Sequence, residues 1–405
     1  MTELTNAQRY ARGIDVLRRI GGPDYDVQLK AAAETAPDLA RLTVEFAYGD
    51  VIARDGLALP LRQVVTVAAL LGHRNAERQL RYHMVGYLNA GGEPRTLIEL
   101  LFVSIAVLGF PVAIHAIALL RDIFKERGIE QARVAPREDD GSASFAAGRA
   151  AMARMLGDAD ASEAEWQAQS AVFAQWTVAF EYGEIFSREG LDARTRELAI
   201  VTMIATAGNR VVALERHVEC ALRAGVSTTE LTEAFMQLAI YAGFPTALNA
   251  ITTATAVFKR GVAHGAAAPA SVGAAPMEKR DARHARGLEV MSQTSRSAGA
   301  TVIAAFDDLA PDIGHAILEH AYGDVFARDA ISLRTRELAA CAAFAAVGNQ
   351  VMATPLRVHV LAALNTGATR AEITEVLLNL VPHCGYPLVE HALRIANEVF
   401  ATAAP

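Results

Sequence analysis

One pattern occurs three times along the chain, and that repetition limits the possible folds more than any single motif does. Residues 46–116 read FAYGDVIARDGLALPLRQ…RYHMVGYLNAG…GFPVAIHA. Residues 180–250 read FEYGEIFSREGLDARTRE…RHVECALRAG…GFPTALNA, and residues 320–392 read HAYGDVFARDAISLRTRE…RVHVLAALNTG…GYPLVEHA. Tyr48, Tyr182 and Tyr322 open the copies, and His83, His217 and His359 stand at their centres. From tyrosine to histidine is 35 residues in the first two copies and 37 in the third, which puts a two-residue insertion near Pro355. A further 32 residues lead to His115, Asn249 and His391 in every copy.

The period of 134 and then 142 residues divides the 405-residue chain into three domains. Their expected bounds are 1–130, 143–262 and 280–405. Each is long enough to bury a core of its own. The chain is 52% hydrophobic but 6% aromatic. Its abundant alanine favours helices and their close approach, so an all-α fold is expected. The net charge of −7, without a basic run, argues against a nucleic-acid partner. Three cysteines with no C-x-x-C pair fit neither a disulfide framework nor a zinc site, and suggest a reducing cytoplasm. The polar start, MTELTNAQRYARG, does not read as a signal peptide. The most apolar run, Leu100–Ile114, is too short for a membrane span and is broken by Gly-Phe-Pro.

Apolar spacing predicts helices over 6–20, 38–54, 61–71, 76–90, 95–108 and 111–127 in the first copy. The second copy repeats the plan, with helices over 163–186, 195–207, 211–224, 228–241 and 245–259. Ser227 and Glu230 have capping-box spacing. Residues 128–142 and Gly265–Met277 read as linkers.

Arg196-Glu197 opens an otherwise apolar helix. From one copy alone, a first-turn glutamate favoured by the helix dipole explains it. Three copies change the weighing, because surface charge has no reason to keep its register. Arg62, Arg196 and Arg336 persist, as do His83, His217 and His359. Glu197 and Glu337 also persist, but copy 1 has Gln63, a neutral amide unable to act as a base. Copy 1 is therefore expected to be impaired or structural. His115, Asn249 and His391 fall one turn into an alanine-rich helix. Buried there, they would need a partner, either in helix packing or in a substrate. No phosphate loop, dinucleotide fingerprint, H-E-x-x-H or hydrolase elbow is present, so neither metal nor organic cofactor is expected.

These motifs together resemble the carboxymuconolactone decarboxylase family, related to the alkylhydroperoxidase D-like proteins. The matching residues are Tyr182-Gly183-Glu184, the Gly-Leu-Asp-x-x-Thr-Arg run from Gly190 to Arg196, the helix from His217 to Gly225, and Tyr241 to Pro245. The RYARG and RHARG segments also resemble the start of that domain. The resemblance implies three helical domains and cofactor-independent decarboxylation of a small carboxylated lactone or enolisable acid. Arg196 would hold the carboxylate, His217 would deliver the proton, and Glu197 would orient the histidine or share its acid–base work. Arg336, Glu337 and His359 would do the same in copy 3. Substrate contacts are expected from His83, Arg62, His115, Asn249, His391 and Tyr241. The family's peroxidase branch uses cysteines seven and four residues before the histidine. Here those positions hold Arg210 and Ala213, Ala76 and Gln79, and Met352 and Pro355, so thiol peroxidase activity is not expected.

The family's trimers and hexamers imply that the three repeats pack around a pseudo-threefold axis, with two chains forming a pseudo-hexameric homodimer. A biosynthetic cyclase or isomerase on the same fold is the alternative enzyme. A non-catalytic assembly protein is the alternative from another class; the retained histidines count against it, and Gln63 counts for it.

Overall fold

A computed structural model describes residues 4–73, 76–130, 142–208, 210–263, 282–304, 311–347, 352–384 and 386–403. All regular structure among them is helical. None of the described helices is long and apolar enough to cross a membrane. Most of the two expected linkers lies outside the described residues.

The main helices are numbered here in chain order. Copy 1 has α1 (Asn6–Gly21), α2 (Leu59–His73), α3 (Glu77–Asn89), α4 (Pro94–Leu108) and α5 (Phe110–Glu126). Copy 2 has α6 (Ser142–Met155), α7 (Ala193–Ala207), α8 (Val211–Arg223), α9 (Thr228–Tyr241) and α10 (Phe244–Ala263). Copy 3 has α11 (Ala282–Gln293), α12 (Leu333–Val347), α13 (Ala353–Asn365), α14 (Arg370–Leu378) and α15 (Tyr386–Thr402). The capping box at Ser227 is formed, with both reciprocal hydrogen bonds present.

Two expected helices differ in kind. The segment 38–54 is a short α-helix, Pro37–Leu42, that widens into a π-helix over Thr43–Ile52. The segment 163–186 breaks at Ser170, whose extended backbone and side chain cap a new helix, and it too ends in a π-helix, Thr177–Phe186. Copy 3 repeats this with Ile317–Phe326. These π-helices carry the Tyr-Gly pairs, and the first helix of each copy crosses them at glycine. A Cβ on Gly183 would lie 2.0 Å from the Ser144 carbonyl oxygen, and one on Gly148 1.9 Å from that of Val178. Only glycine permits this approach, which is why RYARG and YG recur together. Helical periodicity does not distinguish π from α over ten residues.

The chain separates into two compact units. One holds 5–242 and 256–268, which is most of copies 1 and 2. The other holds copy 3 (269–405) with 243–255, the start of α10, and residues 1–4. In the first unit α2 packs on α7, α9 packs on α2, and α4 packs on α7. The polar contacts are reciprocal as well. Arg54 donates to Glu233 at 2.9 Å, and Arg188 donates to Glu99 at 2.7 Å. Residue 54 is to 188 as 99 is to 233 in the repeat register, so the same pair is made twice in opposite directions. That is an isologous, two-fold relation; a three-fold one would run head to tail. Copies 1 and 2 are therefore related by a pseudo-twofold.

Candidate functional site

Each copy sets its central histidine against the residue that follows the motif arginine, across a pair of packed helices. Asp192 caps α7 by accepting from the Thr195 amide, and Glu197 sits one turn further in, 1% exposed. His217 comes from α8, and its Nδ1 lies 2.9 Å from Glu197 Oε2. In copy 3, His359 Nδ1 lies 2.6 Å from Glu337 Oε2. In copy 1, His83 Nδ1 donates to the amide oxygen of Gln63 at 2.9 Å.

The three pairs are alike in geometry and unlike in charge. Burial pulls the pKa of His217 down, but the carboxylates of Glu197 and Glu181 outweigh it and leave the imidazole above its ordinary 6.5. His83 is equally buried with no carboxylate beside it, and burial pushes it down to about 3. His217 can thus take and return a proton near neutral pH, whereas His83 stays neutral. With Nδ1 engaged by the carboxylate, Nε2 is the nitrogen left for a reacting molecule. Glu197 and Glu337 each keep a second oxygen, Oε1, buried and without a hydrogen-bond partner.

Sequence reasoning missed Glu181. Copies 1 and 3 have Ala47 and Ala321 at its position, and Ala321 lines a cavity that also reaches His359. Burial raises the carboxyl pKa of Glu181, against the opposing pull of His217 and Arg216. Comparing the three copies at the residue before the Tyr-Gly pair would have singled it out.

Tyr241, from copy 2, reaches the histidine of copy 1. Its ring meets His83 edge-on, 5.6 Å between centroids, and its hydroxyl accepts from Thr66. It therefore stands against the copy 1 histidine, reached from across the pair. The reciprocal position is Val107, whose carbonyl accepts from Arg210 just before α8. A valine stands where copy 1 receives a tyrosine, so the two halves of the pair are not filled alike.

The arginines make their hydrogen bonds to groups other than the histidines. Arg62 donates to the Arg54 carbonyl and to Glu233 and Gln237. Arg196 donates to the carbonyls of Arg188 and Leu191, and Arg336 to that of Arg328. A guanidinium is planar with several donors, and here it braces the loop before each helix; the expected grip on a substrate carboxylate is not what these contacts provide. His115 lies near Glu77 with 55% of its side chain exposed, Asn249 donates back to the Pro245 carbonyl, and His391 sits beside Arg394 at the surface. None of the three is a buried polar group facing a histidine of the motif.

The copy 3 pair opens on a cavity of about 200 Å³. Its walls are almost wholly carbon: Leu248 from α10, Val302, Ile317, Phe344 and Val358 surround His359 and Tyr322. Among the described lining residues no lysine or arginine occurs. For a metal ion, the nearest donor set is Glu197, His217 and Cys220, with ligand atoms within 4.8 Å of one another. Copy 3 has Ala362 in place of Cys220, so that set is not common to both pairs, and burial pushes the Cys220 thiol up to about 12.

The model of the carboxymuconolactone decarboxylase family matches residues 37–122, 171–256 and 311–398. The chain belongs to that family. The three matches coincide with the three copies, so the repeat is a tandem of whole family domains. A 4-carboxymuconolactone decarboxylase of Acinetobacter baylyi (strain ATCC 33305 / BD413 / ADP1) is 29% identical over 132 residues, which is 32% of this chain and 98% of that protein. An uncharacterised 15.0 kDa protein of Paracoccus denitrificans is 36% identical over 98 residues, 24% of this chain and 72% of that protein. Membership at this level supports a decarboxylase-like function for the family fold carried here, without fixing the reaction.

Proposed function

We propose that this family member is a proton-transfer enzyme of carboxy-lyase type, working through the Glu197–His217 and Glu337–His359 pairs and needing no cofactor. The substrate class is a small, largely apolar carbonyl compound or lactone bearing a carboxylate that can leave. The observation that carries the reading is the placing of the Glu337–His359 pair at the wall of an apolar cavity of about 200 Å³.

Loss of CO₂ breaks a carbon–carbon bond, and its electron pair passes through the neighbouring carbonyl to give an enolate. An imidazolium Nε2–H then protonates the carbon, and the glutamate steadies the charge on the ring while the proton is present. An apolar wall favours this step, since a localised carboxylate loses more hydration on entry than the spread charge of the transition state does. The same lining argues against a polycarboxylate in copy 3, because a second carboxylate would be buried without a partner. Copy 1 has a neutral His83, Gln63 and a covering Tyr241, and serves as scaffold. Thiol peroxidase chemistry has no support, as the two cysteine positions before each histidine are otherwise occupied.

A second reading is isomerisation or cyclisation through the same enolate without loss of CO₂. It is favoured by the placing of Arg196 and Arg336 on loop carbonyls. One experiment decides among these. The full chain is incubated in D₂O with 4-carboxymuconolactone and with apolar β-keto acids and enolisable lactones. CO₂ release and deuterium at the α-carbon are then followed. Release with deuteration, lost in a His217→Ala/His359→Ala double variant, is expected. Deuteration without CO₂ supports the isomerase. No deuteration of any of these compounds would overturn both.

A further inference from the structure

Two positions change together between the copy 2 and copy 3 sites. Just before the Tyr-Gly pair, copy 2 has Glu181 and copy 3 has Ala321. Just before the central histidine, copy 2 has Arg216 and copy 3 has Val358. Ala321 and Val358 both line the copy 3 cavity beside His359, so both positions look onto the space that the imidazole serves. The aromatic framework around that space is shared. Tyr182 lies 5.3 Å from Phe186, and Phe186 lies 6.3 Å from His217, between ring centroids. The counterparts Tyr322, Phe326 and His359 are separated by 5.7 and 6.1 Å. What differs is a pair of opposite charges in copy 2 where copy 3 has two alkyl groups. Arg216 is held on the framework itself. Its guanidinium lies over the Trp166 ring, 5.5 Å from the centroid, and Trp166 stacks on Tyr182 at 5.8 Å. It donates to Glu165 at 3.1 Å, and that glutamate is 55% exposed. A guanidinium carries several donors, and this contact engages one nitrogen. Glu181 is half-buried, and its carboxyl feels the charges of Arg216 and His217.

We infer that Glu181 and Arg216 set the specificity of copy 2: its site takes an acid whose carbon skeleton bears a hydroxyl group, and the copy 3 site, with Ala321 and Val358, takes the hydrocarbon counterpart. A carboxylate and a guanidinium together add no net charge, so they do not call for a second anion, which Glu181 would repel. They supply one group that only accepts and one that only donates. A hydroxyl both donates and accepts, so it can donate to Glu181 and accept from Arg216 at once. An alkyl group in the same place would take water from both charged side chains and give nothing back. In copy 3 the penalty is reversed, because a hydroxyl among Ala321, Val358, Phe344 and Leu248 would be buried without a partner. The chain then works on two related acids, one at each reactive pair. This deepens the proposed function and rests on it only in taking the two glutamate–histidine pairs as the reacting sites.

Binding at each site can be read without turnover. Selectively labelled histidine in the full chain is followed by NMR, with His217→Ala and His359→Ala assigning the two signals. The chain is titrated with hexanoate and with hexanoates hydroxylated at one carbon in turn. Hexanoate is expected to move the His359 signal at concentrations at least about tenfold below those that move His217, and the best of the hydroxylated acids to show the opposite order. Glu181→Ala with Arg216→Val changes two half-buried positions and is expected to abolish the preference of copy 2 for the hydroxylated acid. Ala321→Glu with Val358→Arg is expected to confer that preference on copy 3. Circular dichroism checks the helicity of both double variants, and the first decides alone if the second does not fold. Equal responses of the two histidines to both kinds of acid, no response at either, or a Glu181→Ala/Arg216→Val chain that keeps the wild-type order would each overturn the inference. Because CO₂ is not measured, a chain that decarboxylates nothing can still divide the acids in this way, and one that decarboxylates can fail to.

Discussion

Glu197→Gln turns the pair of copy 2 into that of copy 1, and the chain itself supplies the reference state. His83 beside Gln63 is held at about 3, while His217 beside Glu197 lies above 6.5. Removing the carboxylate charge while keeping the hydrogen bond should carry His217 most of the way between them. Without the carboxylate charge, burial then wins and the His217 pKa is expected to fall below its ordinary 6.5. Glu181 is absent from copy 1 and pulls His217 upward here, so the fall will be smaller than the full difference. Selectively labelled histidine followed by NMR through pH 4–9 reads it. Loss of the positioned proton donor should lower turnover by roughly 10²–10⁴, measured in a His359→Ala background so that copy 3 does not mask it.

Stability gives an independent readout with a definite sign. In the wild type the raised folded pKa of His217 contributes stability that is fully present below the unfolded value near 6.5 and is lost as pH rises through the folded pKa. In Glu197→Gln the depressed folded pKa reverses this. The unfolded chain then binds the extra proton, and stability falls as pH drops below 6.5. The two melting curves should therefore draw together above neutrality and separate as pH falls to 5. A variant His217 that still titrates above 6.5, or a stability difference independent of pH, would refute the reasoning.

Three further outcomes follow from the same geometry. His83→Ala is expected to leave turnover within about twofold of wild type, while His217→Ala and His359→Ala each remove a separable part of it; abolition by His83→Ala alone would reverse the assignment of the copies. Glu233→Ala leaves Arg62 buried without its partner at the heart of the pair, so it should cost about 3–5 kcal/mol in denaturant unfolding, and a loss under 1 kcal/mol would contradict the two-fold packing. Dialysis against EDTA is expected to leave decarboxylation unchanged, and loss restored by a divalent ion would instead assign a role to Glu197, His217 and Cys220 as ligands.

The repeat made the helical fold and the histidine pairs legible, because a spacing of 20 or 22 residues between the partners spans two packed helices and their turn. What it hid depends on contacts between copies. Tyr241 belongs by sequence to copy 2, yet it acts on His83, since a residue's own repeat does not say which neighbour it faces. The motif arginines keep their register as faithfully as the histidines, but for a structural reason: each braces the loop before its helix. Persistence across copies separates constrained from unconstrained positions and does not separate binding from bracing. His115 and His391 are a simpler case. One turn into an alanine-rich helix is a position, and whether it is buried depends on what packs against that turn.

The asymmetry within the copy 1–copy 2 pair has a physical logic. In an isologous pair each site is finished by the other copy, so a substitution in one copy alters the opposite site. Tyr241 closes the copy 1 site, and with it solvent and substrate are excluded from His83. A carboxylate at position 63 would then be buried beside a histidine with no route for its proton, whereas Gln63 offers the same acceptor oxygen without the charge. Across the pair the reciprocal position is Val107, and in copy 2 Glu197 is retained and Glu181 added. Side-chain size and charge thus differ together at reciprocal positions. Replacing Tyr241 by valine should therefore open copy 1 without activating it. Only Tyr241→Val with Gln63→Glu should bring the His83 pKa up from about 3, and a single Tyr241→Val chain with a titrating, active His83 would show that the amide, and not the tyrosine, is the incidental change.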